Sequence, residues 1–259
     1  MTASTGAVPP PSHVRIAMWS GPRNISTAMM RAFENRADTA VVDEPLYAAY
    51  LRATGIDHPG REEILAAQDD DWRRVTDELT GPVPGGRAVW YQKHMTHHLL
   101  PQMGRDWLRR VTNAFLVRDP AGVVASYARV RGEPTLEDLG FPQQVEIFRA
   151  CADADGTAPP VVDAADVLAA PEAVLTELCR RVGIAFDPAM LSWPAGPRPS
   201  DGVWAPHWYA SVESSTGFGP PPTGTPDVPA LLRDLLDRCR PYYDELAPHR
   251  IRVGGPAQP

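Results

Sequence analysis

The sequence predicts an α/β fold in three layers, a central, mostly parallel sheet flanked by helices, with a P-loop-like opening unit. Short apolar runs bounded by turn residues recur along the chain, and stretches of helical periodicity fall between them. Strands that alternate with helices build parallel βαβ units whose helices cover both sheet faces. A length of 259 residues with 43% hydrophobic and 22% charged residues suits one large domain with a sizeable core.

The first strand is Val14 to Trp19, apolar with one interruption and stopped by Ser20-Gly21-Pro22. Ile25, Met29 and Phe33 then repeat four apart, which marks a helix whose first turn holds Ser26 and Thr27. Residues 39–42 form a second strand, stopped at Asp43-Glu44-Pro45, where the proline also starts a helix from Leu46 to Arg52. A charged helix is expected from Arg61 to Leu79, then a Pro- and Gly-rich loop over 81–86. Strands at 88–92 and 112–117 deliver Lys93 and Arg118 at their ends, and a helix runs from Gly122 to Arg131. Helices at 136–155 and 171–182 enclose a short strand at Val161-Val162, and an amphipathic helix closes the chain at 228–246. Between them, 192–229 is rich in Pro, Gly and aromatics and reads as an irregular lid or pocket wall. The expected layout is a disordered tail at 1–12, one domain at 13–250 and a second tail at 251–259.

Lys+Arg 25 against Asp+Glu 32 gives a net charge of −7, which argues against a broad basic face for nucleic acid and makes any anion site local. Only one of those basic residues is a lysine, Lys93, which suggests a position needing a compact ammonium. Cys151, Cys179 and Cys239 are widely spaced without a C-x-x-C, as expected of reduced thiols in a cytoplasm. No apolar run approaches the ~20 residues of a membrane helix, and the N-terminus lacks the pattern of an export signal.

In an open α/β sheet, ligands bind outside the carboxyl ends of the strands. That rim receives Arg23, Ser26 and Thr27 after the first strand, Glu44 after the second, Lys93 and the His94–His98 cluster after the third, and Arg118 after the fourth. Free amides at the first helix start favour an anion, and Arg23 adds a full charge. An ordinary capped helix with a surface arginine accounts equally well for the loop alone. A second phosphate contact decides between the two.

Together these residues resemble sulfotransferases that use 3′-phosphoadenosine 5′-phosphosulfate (PAPS). The loop Gly21-Pro22-Arg23-Asn24-Ile25-Ser26-Thr27 is similar to the family's 5′-phosphosulfate loop, with Arg23 where many members have Lys. Phe115-Leu116-Val117-Arg118-Asp119-Pro120, with Ser126 eight residues after Arg118, resembles its 3′-phosphate motif. Ser215, Thr216 and Gly217 resemble a segment that closes over the nucleotide. The likeness is greatest to bacterial members with Asp-Glu-Pro after the second strand. It implies PAPS as donor, 3′-phosphoadenosine 5′-phosphate (PAP) as product, a small-molecule acceptor and no metal.

Sulfuryl transfer leaves charge on the bridging oxygen, and Arg23 and Lys93 are the candidate donors there. Animal members carry a histidine base two residues after the lysine of the third strand, where this chain has Met95. Other members use a Glu after the second strand, so the resemblance implies Glu44 as base, with His97 or His98 as the alternative. A chemically idle helix-start carboxylate is the plain reading of Glu44. Tyr47, His94, Trp204, His207 and Trp208, with Glu44, are the candidate acceptor contacts, and Tyr209 is a further candidate wall of that pocket. His94 and His98 are four apart, but no Asp, Glu or Cys at ligand spacing supports zinc. Two rivals remain: a phosphotransferase, against which G-x-x-x-x-G-K-[ST] is absent, and a silent nucleotide-binding protein that has lost its base.

Overall fold

The computed structural model describes residues 13–131 and 134–253, apart from the side chains of 130 and 131. The expected tail at 1–12, and 254–259 of the second tail, lie outside the described residues. Five strands, β1 (Val14–Ser20), β2 (Thr39–Asp43), β3 (Val89–Met95), β4 (Thr112–Val117) and β5 (Val161–Asp163), form one sheet in the order β2-β3-β1-β4-β5. Every pairing is parallel. Because β1 is central and the chain turns from its β3 side to its β4 side, a crevice opens above the C-terminal end of β1.

Alternate residues of each strand feed two cores. On one face Ile16, Met18, Tyr91 and Leu116 pack against Met29, Met30 and Phe33 of α1 (Ser26–Glu34). On the other, Trp19, Trp90 and Phe115 pack with Val75 and Leu79 and with Val145 and Phe148. The sheet is therefore buried on both sides, as a parallel sheet must be.

After β2 the chain forms α2 (Tyr47–Thr54), α3 (Arg61–Ala67) and α4 (Trp72–Leu79). The expected continuous helix over 61–79 is thus two, because Asp71 caps α4 by accepting from the Arg73 amide. Beyond β4 come α5 (Pro120–Arg131), α6 (Leu136–Leu139) and α7 (Phe141–Asp155). The helix expected over 136–155 breaks at Gly140, whose φ of 70° ends α6 and whose follower Phe141-Pro142 starts α7. The sequence pattern misses α8 (Ala164–Ala169), which Asp163 caps before α9 (Pro171–Arg181). The 192–229 segment contains two single-turn helices, α10 (Ala205–Trp208) and α11 (Ala210–Glu213), and the last helix, α12 (Arg233–Leu246), starts later than expected. Ile251, assigned above to a tail, is fully buried, and its amide donates to the Val161 carbonyl at 2.7 Å. Among the described residues no helix is long and apolar enough to cross a membrane.

Candidate active site

Gly21 opens the loop between β1 and α1 because nothing larger fits: a Cβ there would stand 2.7 Å from the Leu139 carbonyl oxygen. Among the described residues, Arg23 (φ 56°) and Glu44 (φ 43°) are the two non-glycine residues in the left-handed region. That conformation costs a residue with a Cβ about 1–2 kcal/mol, and such strain gathers at functional sites. Both residues follow a strand end and both line one cavity of about 790 Å³.

One end of the cavity is cationic. Arg23 Nε donates to Ser126 Oγ at 3.1 Å, and Arg118 donates to the Arg23 carbonyl at 2.5 Å. Gly122 lets the Arg118 guanidinium lie flat against α5, since a Cβ would sit 3.0 Å from Arg118 Nε. Burial, and for Arg118 the neighbouring Arg23, lowers the pKa of each guanidinium from its ordinary value. Helix α1 begins without a side-chain cap and without an acidic residue in its first turn. Asn24 instead accepts from the Ile25 amide and donates to the Leu116 carbonyl, which shapes the loop. The amides of the first turn and the hydroxyls of Ser26 and Thr27 therefore face the cavity with two guanidiniums.

The other end holds a buried ion cluster. Lys93, 1% exposed, donates to Asp43 Oδ1 at 2.8 Å, Glu44 Oε1 at 2.6 Å and Tyr209 OH at 2.8 Å. Its pKa lies well above the ordinary value: burial opposes the charge, but Asp43 and Glu44 outweigh it. Burial pushes the Glu44 carboxyl up, with Lys93 opposing and Asp43 reinforcing the shift. Glu44 Oε2 lies 3.9 Å from His98 Nδ1, beyond hydrogen-bond reach. Tyr47, Met95, His97, Trp204 and Trp208 wall the cavity around this cluster.

The structure brings together most of the predicted residues and separates a few. Gly21 braces the loop from behind, while Pro22 to Thr27, Glu44, Tyr47, Lys93, His97, Arg118, Ser126, Trp204, Trp208 and Ser215 to Gly217 line the cavity. Ser215 Oγ accepts from the Trp193 indole and donates to the Val212 carbonyl, so this stretch is held by its own segment. Lys93 is not at the end of β3, which runs on to Met95, and its three ammonium hydrogens already have oxygen partners. Its ammonium is thus engaged by the carboxylate cluster, while the residue lines the cavity. His94 is one residue out of phase with Lys93, so strand alternation turns it into the core, stacked on Trp19 at 4.3 Å, where burial lowers its pKa to about 3. His98 is buried behind Glu44 and stacks between Tyr47 and Tyr50, and His207 is solvent-exposed near Gly60; neither lines the cavity. His97 does, with Nδ1 buried and unpartnered, and burial brings its pKa down to about 4.

The sequence reading gave Asp43 and His58 no role of their own, nor cavity residues such as Tyr127, Leu168 and Ser211. Asp43 enters the sequence reading only as the first residue of Asp-Glu-Pro. His58 lines the cavity and hydrogen-bonds Tyr47 OH. Tyr209 reaches the cluster only because the 192–229 segment folds over it. The aromatic clustering near Trp204 names Tyr209 as a pocket wall but not as a partner of Lys93. Among the described residues no group of three or more His, Cys, Asp or Glu side chains is arranged to hold a metal.

Comparison with known proteins places this geometry. Residues 14–249 match the family model described as Sulfotransferase domain. The chain is 39% identical over 235 residues to branched-chain-amino-acid aminotransferase-like protein 1 of Arabidopsis thaliana, covering 90% of this chain and 42% of the relative. It is 35% identical over 234 residues to protein 2 of the same name and organism, with 90% and 41% covered. The chain thus spans about two fifths of the length of these curated relatives. Among solved structures, the sulfotransferase from Alicyclobacillus acidocaldarius superposes with a TM-score of 0.53 at 13% identity, covering 93% of this chain and 98% of that one. That match extends to the fold.

Proposed function

The chain belongs to the sulfotransferase domain family, and from that premise we propose that it moves a sulfuryl group from PAPS to a hydroxyl or amine of a small-molecule acceptor. The observation that carries this reading is the single cavity running from Arg23, Arg118 and Ser126 at one end to Glu44 at the other. The donor fits that shape: two guanidiniums, a hydroxyl and an uncapped helix start supply places for two separate anionic groups. When bound, it supplies an activated sulfuryl group attached to a phosphate leaving group.

The residues of the chain do the rest. The α1 amides, Ser26, Thr27 and Arg23 hold the phosphosulfate, while Arg118 and Ser126 hold the 3′-phosphate. Arg23, at the junction of both, stabilises charge on the leaving oxygen. Glu44 Oε1 is fixed by Lys93, which leaves Oε2 to take the proton of the acceptor. His97, neutral and unpartnered at Nδ1, is the second candidate for that proton. Aromatic walls from Tyr47, Trp204 and Trp208 exclude water around the acceptor.

The printed name of the curated relatives suggests a different chemistry, amino-group transfer. A pyridoxal Schiff base needs a lysine amine that can lose its proton. Lys93 is the chain's one lysine, and two carboxylates hold it charged, so these 259 residues do not favour that reading.

The test is transfer of ³⁵S-labelled sulfuryl from PAPS to a panel of phenols, alcohols and amines, alongside Glu44→Gln. We expect labelled organic product with PAP from the wild type and a large loss in the variant. Full turnover in Glu44→Gln contradicts the assignment of the base.

A further inference from the structure

The Lys93 ammonium serves two carboxylates. Asp43 Oδ1 and Glu44 Oε1 both accept from it, at 2.8 and 2.6 Å, with side chains 2% and 9% exposed. One positive charge therefore faces two potential negative charges in a water-poor setting, where interactions of this kind are strong. Asp43's other oxygen is held by the covering segment. Its Oδ2 accepts from Tyr209 OH at 2.6 Å and from the Gly202 amide at 3.2 Å. The Trp204 indole donates to the same Tyr209 oxygen at 3.1 Å. Gly202, Trp204 and Tyr209 all belong to the irregular segment that walls the acceptor end.

We propose that Asp43 is a positioning residue for Glu44: by sharing Lys93 it keeps the Glu44 carboxylate only partly compensated, hence more basic, and it ties that state to the covering segment through Tyr209 and Gly202. The proposal rests on the reading of Glu44 as the base. A carboxylate paired alone with an ammonium becomes a weak base, because the cation stabilises its ionised form. A second carboxylate on the same ammonium reverses part of that effect. The groups facing Glu44 bear this out from each element packed on it. Asp43 comes from β2, Lys93 from β3 and Tyr209 from the α10–α11 junction, while neutral His98 stands 3.9 Å away and is stacked on Tyr47 from α2. His98 is kept from charging by burial and by His97, His58 and Lys93, so the balance is set by Asp43 and Lys93.

The experiment is a direct titration of Glu44 by carboxyl ¹³C NMR, with the resonance assigned through Glu44→Gln. In the wild type, Glu44 is expected to titrate above the usual carboxylate range. Asp43→Asn is expected to lower the Glu44 midpoint by about one unit or more, the effect of removing a neighbouring like charge. Tyr209→Phe keeps the Asp43 charge and cuts the tie to the segment. It is expected to leave the Glu44 midpoint near wild type while speeding amide exchange over 201–213. A wild-type Glu44 midpoint at or below the usual carboxylate range, or an unmoved midpoint in Asp43→Asn, overturns the proposal. The wild-type curve stands even if a variant fails to fold. PAP calorimetry on the same samples separates this outcome from failure of the sulfotransferase reading, since donor binding does not depend on the Asp43 charge.

Discussion

Glu44 is the residue at which backbone strain, burial and charge meet, and its titration sets the pH behaviour of the site. Burial raises its pKa, so the basic form is lost as pH falls through a midpoint above the usual carboxylate range. Activity is therefore expected to decline on acidification along one limb, which Glu44→Gln removes together with about 10²–10⁴-fold of the rate, with PAP affinity retained. His97 adds no limb near its ordinary value, because burial holds it at about 4. Stability moves the other way. A carboxyl whose folded pKa is raised favours folding while protonated and loses that contribution as pH rises through the folded midpoint. The second strained residue, Arg23, gives a different signature. At φ 56° glycine is at ease and alanine is not. In denaturant unfolding, Arg23→Gly is expected to be more stable than Arg23→Ala by about 1 kcal/mol, while both weaken PAP binding.

At the scale of elements, the rim of the sheet was readable because charged residues fall just after apolar runs. The loop before α1, Glu44 after β2 and Arg118 after β4 follow from that rule together with the placement of ligands at strand ends. The assignment went astray in β3, where two further strand residues turn on alternation: Lys93 and Met95 face the cavity and His94 faces the core. The tie of Asp43 and Tyr209 to Lys93 was illegible because it exists only once the Pro-rich segment closes over β2 and β3, a contact with no periodicity. Gly202 shows how tightly that segment is packed. A Cβ there would fall 2.1 Å from the Trp204 ring, which is 1% exposed and has no room to move. Gly202→Ala is expected to destabilise the protein by about 1–3 kcal/mol, as overpacking does, and to impair acceptor use more than PAP binding.

At the scale of the molecule, one helix connects the two ends of the site. Its start faces the anion-binding end, and its buried Arg31 pairs with Asp201 at 2.6 Å, fixing the covering segment beside Gly202. Removing one partner of a buried pair leaves an uncompensated charge, so Arg31→Met is expected to cost about 3–5 kcal/mol in denaturant unfolding. The sheet order explains why donor and base lie in one cavity: β1, β2, β3 and β4 end side by side around the crevice.

The central claim, that this crevice grips a nucleotide bearing a separate 3′-phosphate, is met most directly by calorimetric titration with PAP, ADP and ATP, repeated in Arg118→Ala. The account predicts tight binding of PAP, weak binding of ADP and ATP, and loss of that preference when Arg118 is removed. Binding of ATP with indifference to the 3′-phosphate contradicts it.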